Sequence, residues 1–156
     1  MFRKGSAVII INSNKEFLLV NLEAFEEKNF AIPGGGQDLN ESLLECAYRE
    51  IKEELNIGKA DLEYINESTS PLKFYFRSPQ VRDGVEYIGS ERHYFGFKFI
   101  GNDSNIIPMS GEVRSYKWVK YEDLKNYLLF EQQLEDTQIR IIEIFGKNFL
   151  NLILHP

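Results

Sequence analysis

Residues 33–57 constrain the fold of this chain more than any other stretch. A short apolar run, Phe30-Ala31-Ile32, reads as a strand; Pro33 stops it, and Gly34-Gly35-Gly36 follows. Glycines lack a Cβ, so the backbone there is free to turn tightly or to come close to a ligand. The pattern then becomes helical. Asn40 or Ser42 can cap a helix, and Glu45 stands three residues past Ser42, the spacing of a capping box. Leu44, Tyr48, Ile51 and Leu55 recur at i, i+4, i+7 and i+11, which places them on one buried stripe. Asn56 tolerates the left-handed conformation that commonly ends a helix. The spacing therefore predicts a helix over 41–55, docked behind a glycine loop.

That helix carries an unfavourable charge pattern. Glu50 lies one turn from both Glu53 and Glu54, so three carboxylates share a face. Each like-charge pair opposes helix formation by a few tenths of a kcal/mol, roughly, and the cluster calls for positive charge. Arg49 supplies one; a divalent cation could supply the rest. Oxygen ligands of this kind suit magnesium, with manganese as the alternative ion. No Cys/His set has zinc spacing, and His93 and His155, far apart in sequence, are expected to be plain polar residues. Taken alone, the glutamate run also fits a solvated helix face.

The wider spacing separates these readings. Gly35, five residues, Glu41, seven residues, then Arg49-Glu50-Ile51-Lys52-Glu53-Glu54-Leu55-Asn56-Ile57 resembles the signature box of the Nudix hydrolase family. Accident would produce six such matches about once in ten million starting points at average residue usage. One position departs: Asn56 stands where the family usually has Gly, and both residues can hold a left-handed helix end. Pro33-Gly34-Gly35 also looks like the family's loop before the box, and Glu112, six residues ahead of Trp118, is similar to a late glutamate that some members use.

The resemblance implies a magnesium-dependent pyrophosphohydrolase that cuts a P–O–P bond in a small-molecule nucleotide: a nucleoside triphosphate, a dinucleoside polyphosphate or a 5′-triphosphate RNA end, with ADP-ribose or a nucleotide sugar as the alternative. It implies that Glu50, Glu53 and Glu54 hold the metal, with the carbonyl of Gly34 or Gly35 and Glu112 as further ligands. Arg49, supported by Glu41, would keep the carboxylates in register, and Glu53 or Glu112 would take the proton from water. The substrate clue is split. In the family, a Pro or a Tyr some fifteen to eighteen positions past the box tends to mark ADP-ribose or dinucleoside polyphosphates respectively, and Pro71 and Tyr75 fall near that distance. The glycine run and the closing helix look like members acting on dinucleoside polyphosphates or 5′-triphosphorylated RNA ends. Tyr75, Arg77 and Arg92 are the candidate substrate contacts. The rival reading of another class is a catalytically silent Nudix-fold domain that binds nucleotide and regulates.

The rest of the chain fits one domain over 1–156, since 156 residues with 43% apolar content suffice for one core. Val8–Ile11 and Phe17–Val20 read as a hairpin; Asp61–Ile65, Lys73–Phe76, Arg92–Ile100 and Ser115–Val119 read as strands. Glu122–Leu129 and Leu134–Phe145 have helical spacing, the second with Ile139, Ile142 and Phe145 on one side. This order predicts an α+β fold, an α-β-α sandwich of a mixed sheet with helices on both faces. A formal charge of −6 argues against duplex DNA as a partner. The aromatic run Tyr94–Phe99 nonetheless motivates a single-stranded nucleic-acid module as a third reading. No apolar run is long enough to span a bilayer. The lone Cys46 excludes an internal disulfide and fits a reducing cytoplasm. The apolar stretch Phe149–Leu154 is expected to pack on the core or to form the contact of a homodimer.

Overall fold

The computed structural model describes residues 1–146; the Phe149–Leu154 contact and His155 lie outside them. Ala7 to Ile11 are all buried. Side chains alternate across a strand, so such a run must be covered on both faces. Strand β1 (Phe2–Ile11) is accordingly central, pairing in parallel with β6 (Val85–Phe99) along its whole length. Val8 and Ile10 point into one core, under helix α1 (Leu43–Leu55); Ala7, Ile9 and Ile11 point into the other, under α2 (Gln133–Phe145). Helix, sheet and helix thus stack as the sequence predicts. The remaining strands are β2 (Glu16–Leu22), β3 (Gly34–Gly36), β4 (Leu62–Glu67), β5 (Leu72–Arg82) and β7 (Val113–Lys120). The sheet runs β4-β6-β1-β2-β7, with β3 paired to β1 and β5 to β6. Among the described residues, no helix is long and apolar enough to cross a membrane.

The first hairpin closes as expected. Ile11 pairs antiparallel with Phe17, and the Asn12 side-chain oxygen accepts from the amides of Asn14 and Glu16 at 3.0 and 2.9 Å. Helix α1 starts at Leu43, two residues past the predicted start, with Ser42 and not Asn40 as its cap, and ends at Leu55 as expected. Ser42 accepts from the Glu45 amide at 3.0 Å, Glu45 returns the capping box, and Asn56 sits at φ 59°.

Several elements differ from expectation. Phe30–Ile32 makes only an isolated bridge, Ala31 to Val20, and the glycines themselves form the strand, pairing with Gly5, Ser6 and Ala7. The approach explains why: a Cβ on Gly5 would lie 2.6 Å from the Gly35 carbonyl oxygen. Strands β5 and β6 are longer than predicted because Asp83-Gly84, at φ 51° and 76°, closes them as a two-residue hairpin turn. Residues Tyr121–Asn126 form a 3-10 turn instead of a regular helix. On α2 the buried stripe is Thr137, Arg140, Ile141 and Ile144, while Ile139 is exposed. Arg140 turns inward because its guanidinium lies 5.4 Å from the Tyr94 ring and 3.6 Å from Glu143; Ile144 rests on Gly96, where a side chain would collide. The rings of Tyr94, Phe95, Phe97 and Phe99 are core, so the run Tyr94–Phe99 does not form an exposed stacking strip, although Tyr94 lines the cavity described below.

Candidate active site

Local backbone geometry brings the acidic groups together. The last carbonyls of α1 have no partner inside the helix. Two of them accept from the chain leading into β7: Leu55 from the Ile107 amide and Glu54 from the Met109 amide, both at 2.9 Å. A tight turn at Gly111, φ 96°, then delivers Glu112 beside the helix. On the other side, the Gly34 amide donates to Glu54 Oε2 at 3.1 Å. The Glu50 carboxylate packs on Gly35, where any side chain would collide with it.

Three carboxylates therefore converge. Oxygens of Glu50, Glu54 and Glu112 lie within 4.8 Å of one another. Glu54 is almost wholly buried, and its carboxyl is pushed up to about 8, first by burial and then by the neighbouring charge of Glu50. Burial also raises Glu50, against the opposing pull of Arg49. Arg49 pairs with Glu50, but among the described residues neither Glu54 nor Glu112 has a cationic partner, and a divalent cation would neutralise the remaining charge. The donor set, all oxygen, fits magnesium or manganese.

Glu53 stands apart. Its carboxylate is outside the close set, accepts from Arg49 Nη1 at 3.2 Å and is half exposed. Arg49 is the hub of a second network. Its Nη2 donates to Glu41 Oε1 at 2.7 Å and to the Gly36 carbonyl at 2.8 Å, its Nε to Glu41 Oε2 at 3.0 Å, and its Nη1 to Glu50 at 3.0 Å. This fork fixes the loop, Glu50 and Glu53 together. Cys46, raised by burial, sits under it, 3.6 Å from the Gly35 carbonyl.

Glu41 reports the strength of that network, because the hydrogen bond from Arg49 holds its carboxyl down at about 2. A carboxyl lowered in the folded state adds stability above its unfolded value, near 4.3, and loses it as pH falls through the folded value. Glu41→Gln is expected to cost about 2 kcal/mol at pH 7. The gap between parent and variant should close between pH 4.5 and 2 in urea unfolding. A gap that stays constant across that range would show that the pair does not stabilise the fold.

Beside the carboxylates opens a cavity of about 820 Å³, reached through Gly34–Gly36 and Glu54 and walled by β1, β5, β6 and the start of α2. Of the expected substrate contacts, Arg92 lines it; Tyr75 and Arg77 do not. Tyr75 instead lies edge-on against Phe2, ring centres 5.3 Å apart. Pro71 is also outside the cavity wall. Sequence reading gave no role to Arg3, which reaches the wall with its guanidinium against Gly36. Among the described residues neither Arg3 nor Arg92 has a carboxylate partner, whereas Lys4 and Lys73 share Glu91, at 4.0 and 3.4 Å. Glu91 also binds His93 at 2.8 Å.

Comparison with known proteins agrees with this geometry. The model of the NUDIX domain matches residues 1–140. A protein named RNA pyrophosphohydrolase from Pelagibacter ubique is 29% identical over 135 residues, covering 81% of this chain and 82% of its own. One of the same name from Orientia tsutsugamushi is 28% identical, covering 92% and 91%. Among solved structures, an Ap4A hydrolase from C. elegans superposes with TM-score 0.66 at 21% identity, covering 96% of this chain and 98% of its own. The E. coli dihydroneopterin triphosphate pyrophosphohydrolase gives 0.69 at 18% identity, covering 91% and 98%. At those identities the structures speak for the fold.

Proposed function

Since the chain belongs to the Nudix family and is a hydrolase of pyrophosphate bonds, we propose that it is a magnesium-dependent enzyme acting on the 5′-triphosphate end of RNA or a related nucleotide polyphosphate. The observation that carries the metal reading is the convergence of Glu50, Glu54 and Glu112 around a buried carboxyl raised to about 8. The relatives named RNA pyrophosphohydrolase, matched along most of both chains, favour the RNA end over the alternatives. A cytoplasmic setting suits the single thiol.

Glu50, Glu54 and Glu112 would hold the ion, with a carbonyl of the Gly34–Gly35 loop as a neutral ligand. A divalent cation bound there supplies charge neutralisation of phosphate oxygens and a water of lowered pKa. Glu53 is the helix carboxylate outside that set, half exposed and oriented by Arg49, and this position supports giving it the proton from the attacking water, with Glu112 as the alternative. Arg3 and Arg92 face the cavity without carboxylate partners and would meet the phosphate chain.

The test measures phosphate and pyrophosphate release from triphosphorylated RNA, nucleoside triphosphates, diadenosine tetraphosphate and ADP-ribose, with Mg2+ and with EDTA. Cleavage of the RNA end that stops in EDTA and falls on the order of 10³-fold in Glu53→Gln is expected. Faster turnover of ADP-ribose than of any triphosphate would move the assignment to nucleotide-sugar pyrophosphatase. Silence on all of them would favour the regulatory binding domain.

A further inference from the structure

We propose that the β5–β6 hairpin is a docking arm for single-stranded RNA, which holds the nucleotides that follow the 5′ end through Arg77 and Arg82. The inference rests on the RNA reading of the cavity given above.

The arm leaves the body of the sheet. Strand β1 accompanies β6 only as far as Gly89, opposite Phe2, and β4 accompanies it only from Phe95 to Phe99. Residues 76–87 therefore have no strand beside them, among the described residues, other than those of their own hairpin. Phe76 to Pro79 stand opposite Ile88 alone. A bulge of this kind bends a strand and sharpens its twist. Beyond the bend, Gln80 and Arg82 line the same cavity as Phe74 and Phe76, so the arm continues the cavity wall outward.

The charges of the arm are sorted by face. Residues directly opposite on paired strands share a face, so Tyr87 and Val85 accompany Gln80 and Arg82, while Glu86 accompanies Val81 on the reverse. Arg77 and Arg82 are exposed, and among the described residues neither has a carboxylate partner. Across the cavity, the wall near the start of α2 carries Glu131 and Asp136. In a chain of net charge −6, a polyanion leaving the cavity is repelled on the α2 side and attracted along the arm.

Rings interleave with these cations. Phe74, 41% exposed, meets Phe76 edge-on, ring centres 6.5 Å apart, and lies 5.9 Å from the Arg92 guanidinium; Tyr87 is half-buried opposite Gln80. Cations that follow a backbone, with rings on which bases stack, are the combination that binds single strands. The outer edge of β5 is unpaired, yet it does not suit a strand from a second copy. Pro79 lacks an amide, and the charged residues of β5 are Lys73, Arg77 and Arg82, so two such strands side by side would set like charges against each other.

The test compares the parent with Arg77→Ala/Arg82→Ala and with Lys120→Ala/Lys125→Ala, which removes the same charge from exposed positions outside the cavity wall. Binding of a 5′-hydroxyl single-stranded RNA decamer in EDTA, measured across a range of salt, reads the arm without turnover. The arginine variant is expected to bind on the order of 10-fold more weakly, with a slope of log affinity against log salt shallower by about 1.4, as for two phosphate contacts on a single strand. In catalysis, the parent should show a higher kcat/KM for a triphosphorylated decamer than for a triphosphorylated dinucleotide. The arginine variant should lose that excess and still hydrolyse nucleoside triphosphates at the parental rate. An unchanged salt slope, an equal loss in the lysine variant, or a parent that cleaves both lengths equally well overturns the proposal. So does a drop in particle mass by light scattering in the arginine variant, which would make the arm a contact between copies. RNA binding that depends on the two arginines, with no hydrolysis of any RNA by the parent, would uphold the arm and sink the RNA-end reading of the cavity instead.

Discussion

Glu54→Gln is expected to give a protein that is more stable than its parent in EDTA and inactive with magnesium. The Glu54 carboxyl is buried and raised to about 8, by desolvation first and by Glu50 and Glu112 after. For an acid raised on folding, the folded state keeps a proton that the unfolded chain has already released. Stability therefore falls as pH climbs from the unfolded value, near 4.3, to about 8, and stays low above it. Glutamine keeps an oxygen for the Gly34 amide and removes the charge. At pH 8 the gain should be on the order of 3 kcal/mol, a rise of roughly 6–12 °C in Tm for a chain this size. At pH 4, below both values, parent and variant should melt together. Magnesium should raise the Tm of the parent, since a ligand that binds only the folded state stabilises it, and should leave the variant unmoved. A variant no more stable than its parent at pH 8 in EDTA would mean that the cluster carries no unmet repulsion, and the metal reading would lose its main support.

Local rules made half of this site readable in the sequence. Ser42, Glu45 and Asn56 act within one turn of themselves, so the helix ends follow from residue type and spacing. The glutamate cluster was only partly readable. Arithmetic along a helix groups Glu50, Glu53 and Glu54, but the Glu53 carboxylate, paired with Arg49 at i−4, lies outside the closest set of oxygens. Glu112 takes the third place because amides of the distant segment 107–109 satisfy the carbonyls at the end of α1, a contact no local pattern records. The glycine strand was illegible for a similar reason, since its partner, Gly5 to Ala7, is far away in sequence. Asp83-Gly84 was a legible signal: such a pair between two strands is a two-residue hairpin turn, and reading it would have given β5 and β6 their length. Arg140 defeats periodicity outright, because a charged residue with an aromatic and an acidic partner occupies a buried position that hydrophobic spacing assigns to the other face.

Arg49→Ala is expected to destabilise the protein and to disarm the site at once, and the two effects are separable. The guanidinium satisfies Glu41 and Glu50, whose side chains are only 12% and 13% exposed, and also binds the Gly36 carbonyl. Removing one partner of a largely buried ionic network leaves the others uncompensated, at a cost of about 3–5 kcal/mol. For a chain of this length that lowers Tm by roughly 6–20 °C. The glycine loop and Glu50 then lose their common anchor, and magnesium affinity should fall about 10- to 100-fold, as for other residues that orient metal ligands. Arg49→Lys keeps the charge but not the planar fork, so it should recover part of the stability and little of the kcat. The discriminating variant is Arg49→Met with Glu41→Met. Replacing both partners by apolar groups of similar size should restore much of the Tm, while Glu50 and Glu53 remain unanchored and turnover stays low. Recovery of kcat together with Tm in the double variant would show that Arg49 serves the fold alone, and that the loop and the carboxylates hold their register without it.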